Sequence, residues 1–213
     1  MRILVTGAGR AIGRATVVEL AGRGHDVVAT ARNPELLVDL EGVRVHELDV
    51  TSDTSVTACI DAAGELDAIV NNAAIIGAGP LDDYPLDQMH RVLDTNTVGP
   101  LRMVQAVAKA WRARGSGVVV NVSSVQGRVA TPLEGPYAAS KYALEALSET
   151  LHYELGHFGV RIVIVEPGYI APGMKHGDDH RGHADYDELW TQWTGTDSKL
   201  TGPEGRPGPD LVA

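Results

Sequence analysis

The sequence of 213 residues is poor in aromatic side chains, with three Trp, six Tyr and one Phe, and it holds one cysteine. Cys59 alone cannot close an internal disulfide, so the fold must rest on its apolar core, and the chain reads as one of the reducing cytoplasm. No stretch approaches the ~18 consecutive apolar residues that a membrane-spanning helix needs. The opening segment MRILVTGAGRAIG breaks at glycines after a few apolar residues, so neither a signal peptide nor a membrane partner is expected. Positive charge is scarce too: 18 Lys and Arg stand against 28 Asp and Glu, a net charge of −10. Without a basic tract, nucleic acid is excluded as a partner. Against these deficits stand 44% hydrophobic residues, enough to bury the core of one domain.

That apolar content is distributed in a regular beat. Residues 2–6 (RILVT) form a short apolar run, followed by the glycine turn GAGRAIG and by RATVVELAGRGH, whose apolar positions recur at helical spacing. Further runs occupy 26–31, 43–50, 66–73, 117–123 and 160–166, with helical stretches between most of them. Runs of Val and Ile without polar alternation mark strands buried on both faces. The expected fold is therefore α/β: a doubly wound, Rossmann-like parallel sheet between two helical layers, in a single domain over residues 1–213. Ligands of such sheets sit beyond the C-terminal strand ends, where Thr6, Ala31, Asp49, Asn71 and Ser123 fall. The glycine turn would aim backbone N–H groups at a diphosphate. Its glycines, Gly7, Gly9 and Gly13, are one residue longer in spacing than G-x-G-x-x-G.

The chemistry concentrates in SVQGRVATPLEGPYAASK, residues 124–141. A helix through YAASKYALEALSETLHYEL stacks Tyr137 and Lys141 on one face. A cation beside a phenol favours the phenolate and would bring Tyr137 toward the working range of a general acid and base. A surface pair on an amphipathic helix has the same spacing.

Taken together, Thr6-Gly7-x-x-x-Ala11-Ile12-Gly13, Asn71-Asn72-Ala73-Ala74, Asn96, Ser124, Tyr137-x-x-x-Lys141 and Pro167-Gly168 resemble the short-chain dehydrogenase/reductase family. The likeness covers about residues 2–174. Ala11 and Ala74 stand where family members usually have glycine, and Pro172 where threonine often follows Pro-Gly. The resemblance implies that Tyr137 exchanges a proton with the substrate oxygen during hydride transfer at a nicotinamide. It implies that Lys141 holds the nicotinamide ribose and lowers the Tyr137 pKa, and that Ser124 polarises the substrate oxygen, with Ser123 the neighbouring alternative. The Asn96 backbone carbonyl would hold a relay water. Pro100 offers no N–H to that carbonyl, which would keep it free, although a plain proline kink explains the same sequence. Cofactor contacts are expected from Gly7, Arg10, Ala11, Ile12 and Gly13, from Asp49 and Val50 around adenine, from Asn71, Asn72 and Ala73, and from Pro167, Gly168 and Ile170.

Cofactor choice follows from charge. The residues after the second strand, Thr30-Ala31-Arg32-Asn33, include no acid to accept a ribose 2′-hydroxyl, whereas Arg32 and Arg10 suit a 2′-phosphate. The expectation is NADP(H), in an enzyme interconverting a small-molecule carbonyl and a secondary alcohol. A catalytically idle NADP(H)-binding sensor is the alternative.

Residues 172–213 are rich in Pro, Gly and polar residues, and are expected to form a substrate lid and an incomplete C-terminal segment. Tyr186, Leu189, Trp190 and Trp193 make a one-sided apolar helix stripe suited to closing such a site. The family continues through a further helix and strand, so the last strand is expected to be missing, leaving a homodimer through the helices that carry Asn96 and Tyr137. His176, His180 and His183 lie in a glycine-broken polar loop ill suited to fix ligands, and no metal is expected.

Overall fold

The structure is a computed structural model that describes residues 1–170, 174, 179–200 and 207–213, with only the backbone of 196–200. Six strands, β1 (Arg2–Val5), β2 (Asp26–Ala31), β3 (Arg44–Glu47), β4 (Ala68–Asn71), β5 (Gly117–Val122) and β6 (Val160–Val165), form one sheet in the order β3-β2-β1-β4-β5-β6. Every pairing is parallel. Among the described residues β6 is an edge, with no strand beyond it.

The continuous apolar runs are explained by burial on both faces. In β1, Leu4 enters one core with Val28, Ile69 and Val119, while Ile3 and Val5 enter the other with Val27, Ala29 and Val70. The first core is closed by helices α2 (Asp53–Ala63) and α4 (Gly99–Arg114), whose Trp111 is 2% exposed and donates its indole N–H to Leu66 O at 2.7 Å. The Trp111 ring lies where a side chain at Gly117 would be, 2.3 Å from an added Cβ. The second core is covered by α1 (Ala11–Gly22) through Val17 and by Leu37.

Several strands are shorter than the apolar runs, the fourth spanning Ala68–Asn71 rather than 66–73, and two differences bear on the site. The third strand was expected over 43–50 but ends at Glu47, because Asp49 turns the chain: its carboxylate accepts from Thr51 N at 2.9 Å and its own N–H donates to Ser55 Oγ at 2.9 Å. The helix expected to break at Gly99-Pro100 instead changes register one turn earlier. After α3 (Leu86–Leu93), residues Asp94–Val98 form a π-turn in which Gly99 N donates to Asp94 O, and α4 follows. The missing N–H of Pro100 favours such a register change. Gly99 also lets α4 approach the sheet, since a Cβ there would lie 2.9 Å from Val50.

The reversal of strand order in the sheet falls between β1 and β4, and their C-terminal ends open the crevice. Gly7, with φ +67, fits because a Cβ there would meet Ala73 Cα at 2.8 Å. Ala11, one of the family departures, has φ 45, a left-handed conformation that costs an L-residue roughly 1–2 kcal/mol. Glycine at this position loses that strain but gives up roughly 0.5–1 kcal/mol to the freer unfolded chain. Ala11→Gly should therefore raise the thermal midpoint slightly, by about 1–3 °C; a fall of that size in a melting experiment would show that the methyl contributes packing worth more than the strain.

Candidate active site

Beyond the C-terminal ends of the strands lies a cavity of about 450 Å³. Its floor is set by the Thr6 hydroxyl, which accepts from Asn72 N at 3.0 Å and Ala73 N at 2.9 Å and so ties β1 to the segment after β4. Asn72 Nδ2 returns the link, donating to Thr6 O at 2.9 Å and Gly7 O at 3.1 Å. Ala8 N donates to Thr30 O at 2.8 Å, fixing the glycine turn to β2. The N-cap of α1 is Arg10, without a side-chain cap and with no acid in the first turn, so the first N–H groups of the helix lack an internal acceptor.

Helix α5 (Gly135–Gly156) delivers Tyr137 and Lys141 into the same cavity. Tyr137 is 7% exposed and Lys141 2%. The Lys141 ammonium donates to Val122 O at 2.8 Å and sits 5.6 Å from the centroid of the Tyr137 ring. Ser124, just past β5, accepts from Gln126 N at 3.2 Å and lines the cavity together with Tyr137. Ser123 lines the cavity too, but its buried hydroxyl has no hydrogen-bond partner.

The electrostatics correct one expectation. Lys141 was expected to lower the Tyr137 pKa; instead Tyr137 is pushed up to about 12, chiefly by burial and further by the charge of Glu134, with the Ser124 hydrogen bond opposing. Lys141 is pushed down to about 8 by burial, against the charge of Glu145. Glu145 is 3% exposed, one turn along α5. Arg128 Nη2 lies 3.1 Å from Glu145 Oε2, although neither carboxylate oxygen receives an aligned hydrogen bond. The two charges still attract at this distance, because Coulomb attraction needs no such alignment.

Most of the expected cofactor positions line the cavity: Gly7, Arg10, Ala11 and Ile12; Arg32, Asp49 and Val50; Asn72 and Ala73; Pro167, Gly168 and Ile170. Three expected residues do not. Gly13 is packed beneath the turn, where an added Cβ would lie 2.4 Å from Asn72 Nδ2. Asn71 is turned into the protein, donating to Asn121 Oδ1 at 2.9 Å, and Asn121 continues to Ser148 Oγ at 2.8 Å. Asn96 is fully buried and holds a backbone: its Oδ1 accepts from Ile75 N at 2.9 Å, and its Nδ2 donates to Ile75 O at 2.8 Å and Ser140 Oγ at 3.0 Å. Its neighbour Thr95 faces the cavity instead. The sequence reading missed the lining residues Leu36, Thr95, Gln126 and Glu134, of which the last two lie inside the stretch it had singled out.

The Trp-bearing helix α6 (Asp187–Leu200) packs Trp190 on Ala78 and Leu133, with Tyr186, Leu189 and Trp193 against them. Neither Trp lines the cavity, and Met174 is the described residue of the expected lid that does. Pro172 and His176 lie outside the described residues; His180 pairs with Asp83 at 3.2 Å and His183 with Asp185 at 3.0 Å. No described helix is long and apolar enough to cross a membrane.

The sequence matches the short chain dehydrogenase family over residues 1–181. It is 38% identical to human retinol dehydrogenase 8 over 179 residues, which is 78% of this chain and 58% of that protein. A short-chain dehydrogenase from Streptomyces avermitilis superposes with a TM-score of 0.82 at 31% identity, covering 92% of this chain and 78% of the other. A gluconate 5-dehydrogenase from Burkholderia cenocepacia, solved with NADP and tartrate, gives 0.81 at 30% identity, covering 99% and 84%. With the reversed sheet, the glycine turn and the Ser124, Tyr137 and Lys141 cluster in one cavity, these likenesses show that the chain belongs to the short-chain dehydrogenase/reductase family of oxidoreductases.

Proposed function

We propose that the protein is an NADP(H)-dependent oxidoreductase that interconverts a carbonyl and a secondary alcohol. The observation that carries this reading is the meeting of Ser124, the buried Tyr137 and the Lys141 ammonium, 5.6 Å from the centre of the phenol ring, in one cavity large enough for a ligand. The cavity fits a dinucleotide: an uncapped helix N-terminus at Arg10 suits a diphosphate, and Gly7 allows close backbone approach. Pro167 and Gly168 would flank the nicotinamide, with Lys141 near its ribose. When bound, the nicotinamide supplies or accepts the hydride at the reacting carbon.

The remaining work falls to this chain. Ser124 holds the substrate oxygen beside the Tyr137 hydroxyl. Tyr137, held protonated by a pKa of about 12, gives its proton to that oxygen as negative charge develops on it, and takes one back in the reverse direction. Lys141, with a pKa of about 8, carries the countercharge in the floor of the site. Pro100 withholds its own N–H from the Asn96 carbonyl, which makes that oxygen the candidate to hold a relay water. Tyr137→Phe should lower turnover on a carbonyl panel by about 10²–10⁴-fold with coenzyme affinity little changed; turnover near the wild-type level would overturn the assignment, and a wild-type protein that binds coenzyme but turns over nothing would leave the idle sensor.

Coenzyme choice rests on Arg10 and Arg32. Both line the cavity, neither forms an ion pair with a described residue, and Asn33 stands where a ribose-binding acid would. NADPH should be preferred over NADH by at least about tenfold in kcat/KM, a difference of about 1.4 kcal/mol. Arg32→Asp should reverse the preference, whereas equal or better use of NADH by the wild type would refute the assignment.

The proposed assembly is a homodimer through the π-turn, α4 and α5, the helices near Asn96 and Tyr137. Sedimentation equilibrium should give twice the chain mass of 22.6 kDa; a stable tetramer would overturn this.

A further inference from the structure

A polar pair in the same cavity neither gives nor takes the transferred proton. Glu134 is 6% exposed and Gln126 7%, and both line the cavity with Tyr137. Glu134 Oε2 accepts from Thr131 Oγ1 at 2.9 Å and from Gln126 Nε2. A carboxylate oxygen can only accept there, so the orientation of the Gln126 amide is fixed by its partner: Nε2 faces Glu134, and Oε1 is left to find a donor elsewhere. Oε1 is buried and has no hydrogen-bond partner among the described residues.

Glu134 has a matching deficit. Among the described residues no Lys or Arg forms an ion pair with it, and no hydrogen bond reaches Oε1. Its place as N-cap of α5 offers partial compensation from the helix dipole. A buried anion without a cation is costly, and a donor entering the cavity relieves it; the unpartnered Gln126 Oε1 lies behind it and keeps the Gln126 amide turned to Glu134. Leu133, just before Glu134, is held at φ 64 with its carbonyl accepting from Gly79 N at 2.6 Å, so the approach to Glu134 is fixed by the backbone. Glu134 and Tyr137 are three residues apart at the start of one helix, which puts the carboxylate on the side of the phenol.

We propose that Glu134 and Gln126 form the specificity site for the carbonyl substrate and select one with a hydrogen-bond donor, a hydroxyl or an ammonium, next to the reacting carbon. A carboxylate or phosphate at that position is rejected by like charge and by the acceptor-only surface. The inference rests on the oxidoreductase reading, since it supposes that the substrate oxygen lies at Tyr137.

The test uses four ketones of nearly equal size: 2-butanone, hydroxyacetone, aminoacetone and pyruvate. For the wild type, kcat/KM should be at least about tenfold higher for hydroxyacetone or aminoacetone than for 2-butanone, and lowest for pyruvate. A hydroxyl site favours hydroxyacetone, whereas a cation site favours aminoacetone. Glu134→Gln should cut the ratio of donor-bearing to plain ketone at least about tenfold. The ratio is the readout because any effect of Glu134 on Tyr137 titration is common to both substrates. If that variant does not fold, Glu134→Asp, which withdraws the carboxylate by one methylene, should lower the ratio in the same direction. A wild-type ratio near one, or a ratio unmoved in the variant that folds, overturns the inference.

If no ketone is turned over although NADPH binds, the oxidoreductase reading is what fails, and the specificity site is read from calorimetry. The coenzyme-loaded protein should then bind 1,2-propanediol or 1-amino-2-propanol at least about tenfold more tightly than 2-butanol, with the difference lost in Glu134→Gln. Equal or undetectable binding overturns the inference.

Discussion

The buried ammonium of Lys141 is the interaction on which the site depends. At 2% exposure it has no solvent to hold its charge, so it must be met by the protein, and the Val122 carbonyl at the end of β5 meets it at 2.8 Å. That bond fastens α5 to the C-terminal edge of the sheet and sets where Tyr137, one turn earlier, must stand. Glu145, one turn later, supplies the opposing charge and is backed by Arg128, which also contacts Glu149 and Glu166. A helix held this way at three successive turns cannot slide along the sheet without leaving a charge unmet.

This network also explains which parts of the site were legible in the sequence. The strands were readable because each is buried on both faces, and burial on two faces leaves a continuous apolar run. Tyr137, Lys141 and Ser124 were readable because helical spacing and strand ends place them. Asn71 and Gly13 were assigned to the right neighbourhood but not to the right side of it. Sequence position tells that Asn71 ends a strand; whether its amide turns to the cavity or to Asn121 depends on a partner fifty residues away. The state of Tyr137 was misread for a related reason. Spacing brings Lys141 near the ring, but the proton on the phenol is governed by burial and by Glu134, and no periodicity reports either.

Asn96 shows the same division between position and role. Its side chain bonds both backbone groups of Ile75 and reaches Ser140, while Thr97 Oγ1 donates to Ser140 O at 2.9 Å. The π-turn therefore clamps the cavity wall to α5 through consecutive polar residues, and the extra residue in the turn is what lets Thr95 face the cavity while Asn96 and Thr97 face inward. Such a turn costs regular helical bonding, and the lost bonding is offset by the side-chain bonds it makes possible. Pro100 and Gly99 were the visible signs: one cannot donate to the residue four back, and the other lets the following helix approach Val50.

The charges along the cavity follow the strand order, and this gives the site a direction. Arg32 follows β2 and Arg10 opens α1, on one side of the reversal between β1 and β4, whereas Glu134 precedes α5 on the other, beyond β5. A ligand spanning the crevice meets Arg10 and Arg32, with Asp49 beside them, at one end and Glu134 at the other. An extended molecule with phosphates at one end and a neutral ring at the other is accepted in one orientation, because reversing it would set phosphate against Glu134 and leave both arginines unmet. Lys141 lies between these ends with its charge already balanced by Glu145, so it adds a local donor without erasing the gradient. The proposed orientation of a dinucleotide and the proposed preference for a donor-bearing substrate are then two consequences of one charge arrangement, set by which strands the chain visits on each side of the reversal.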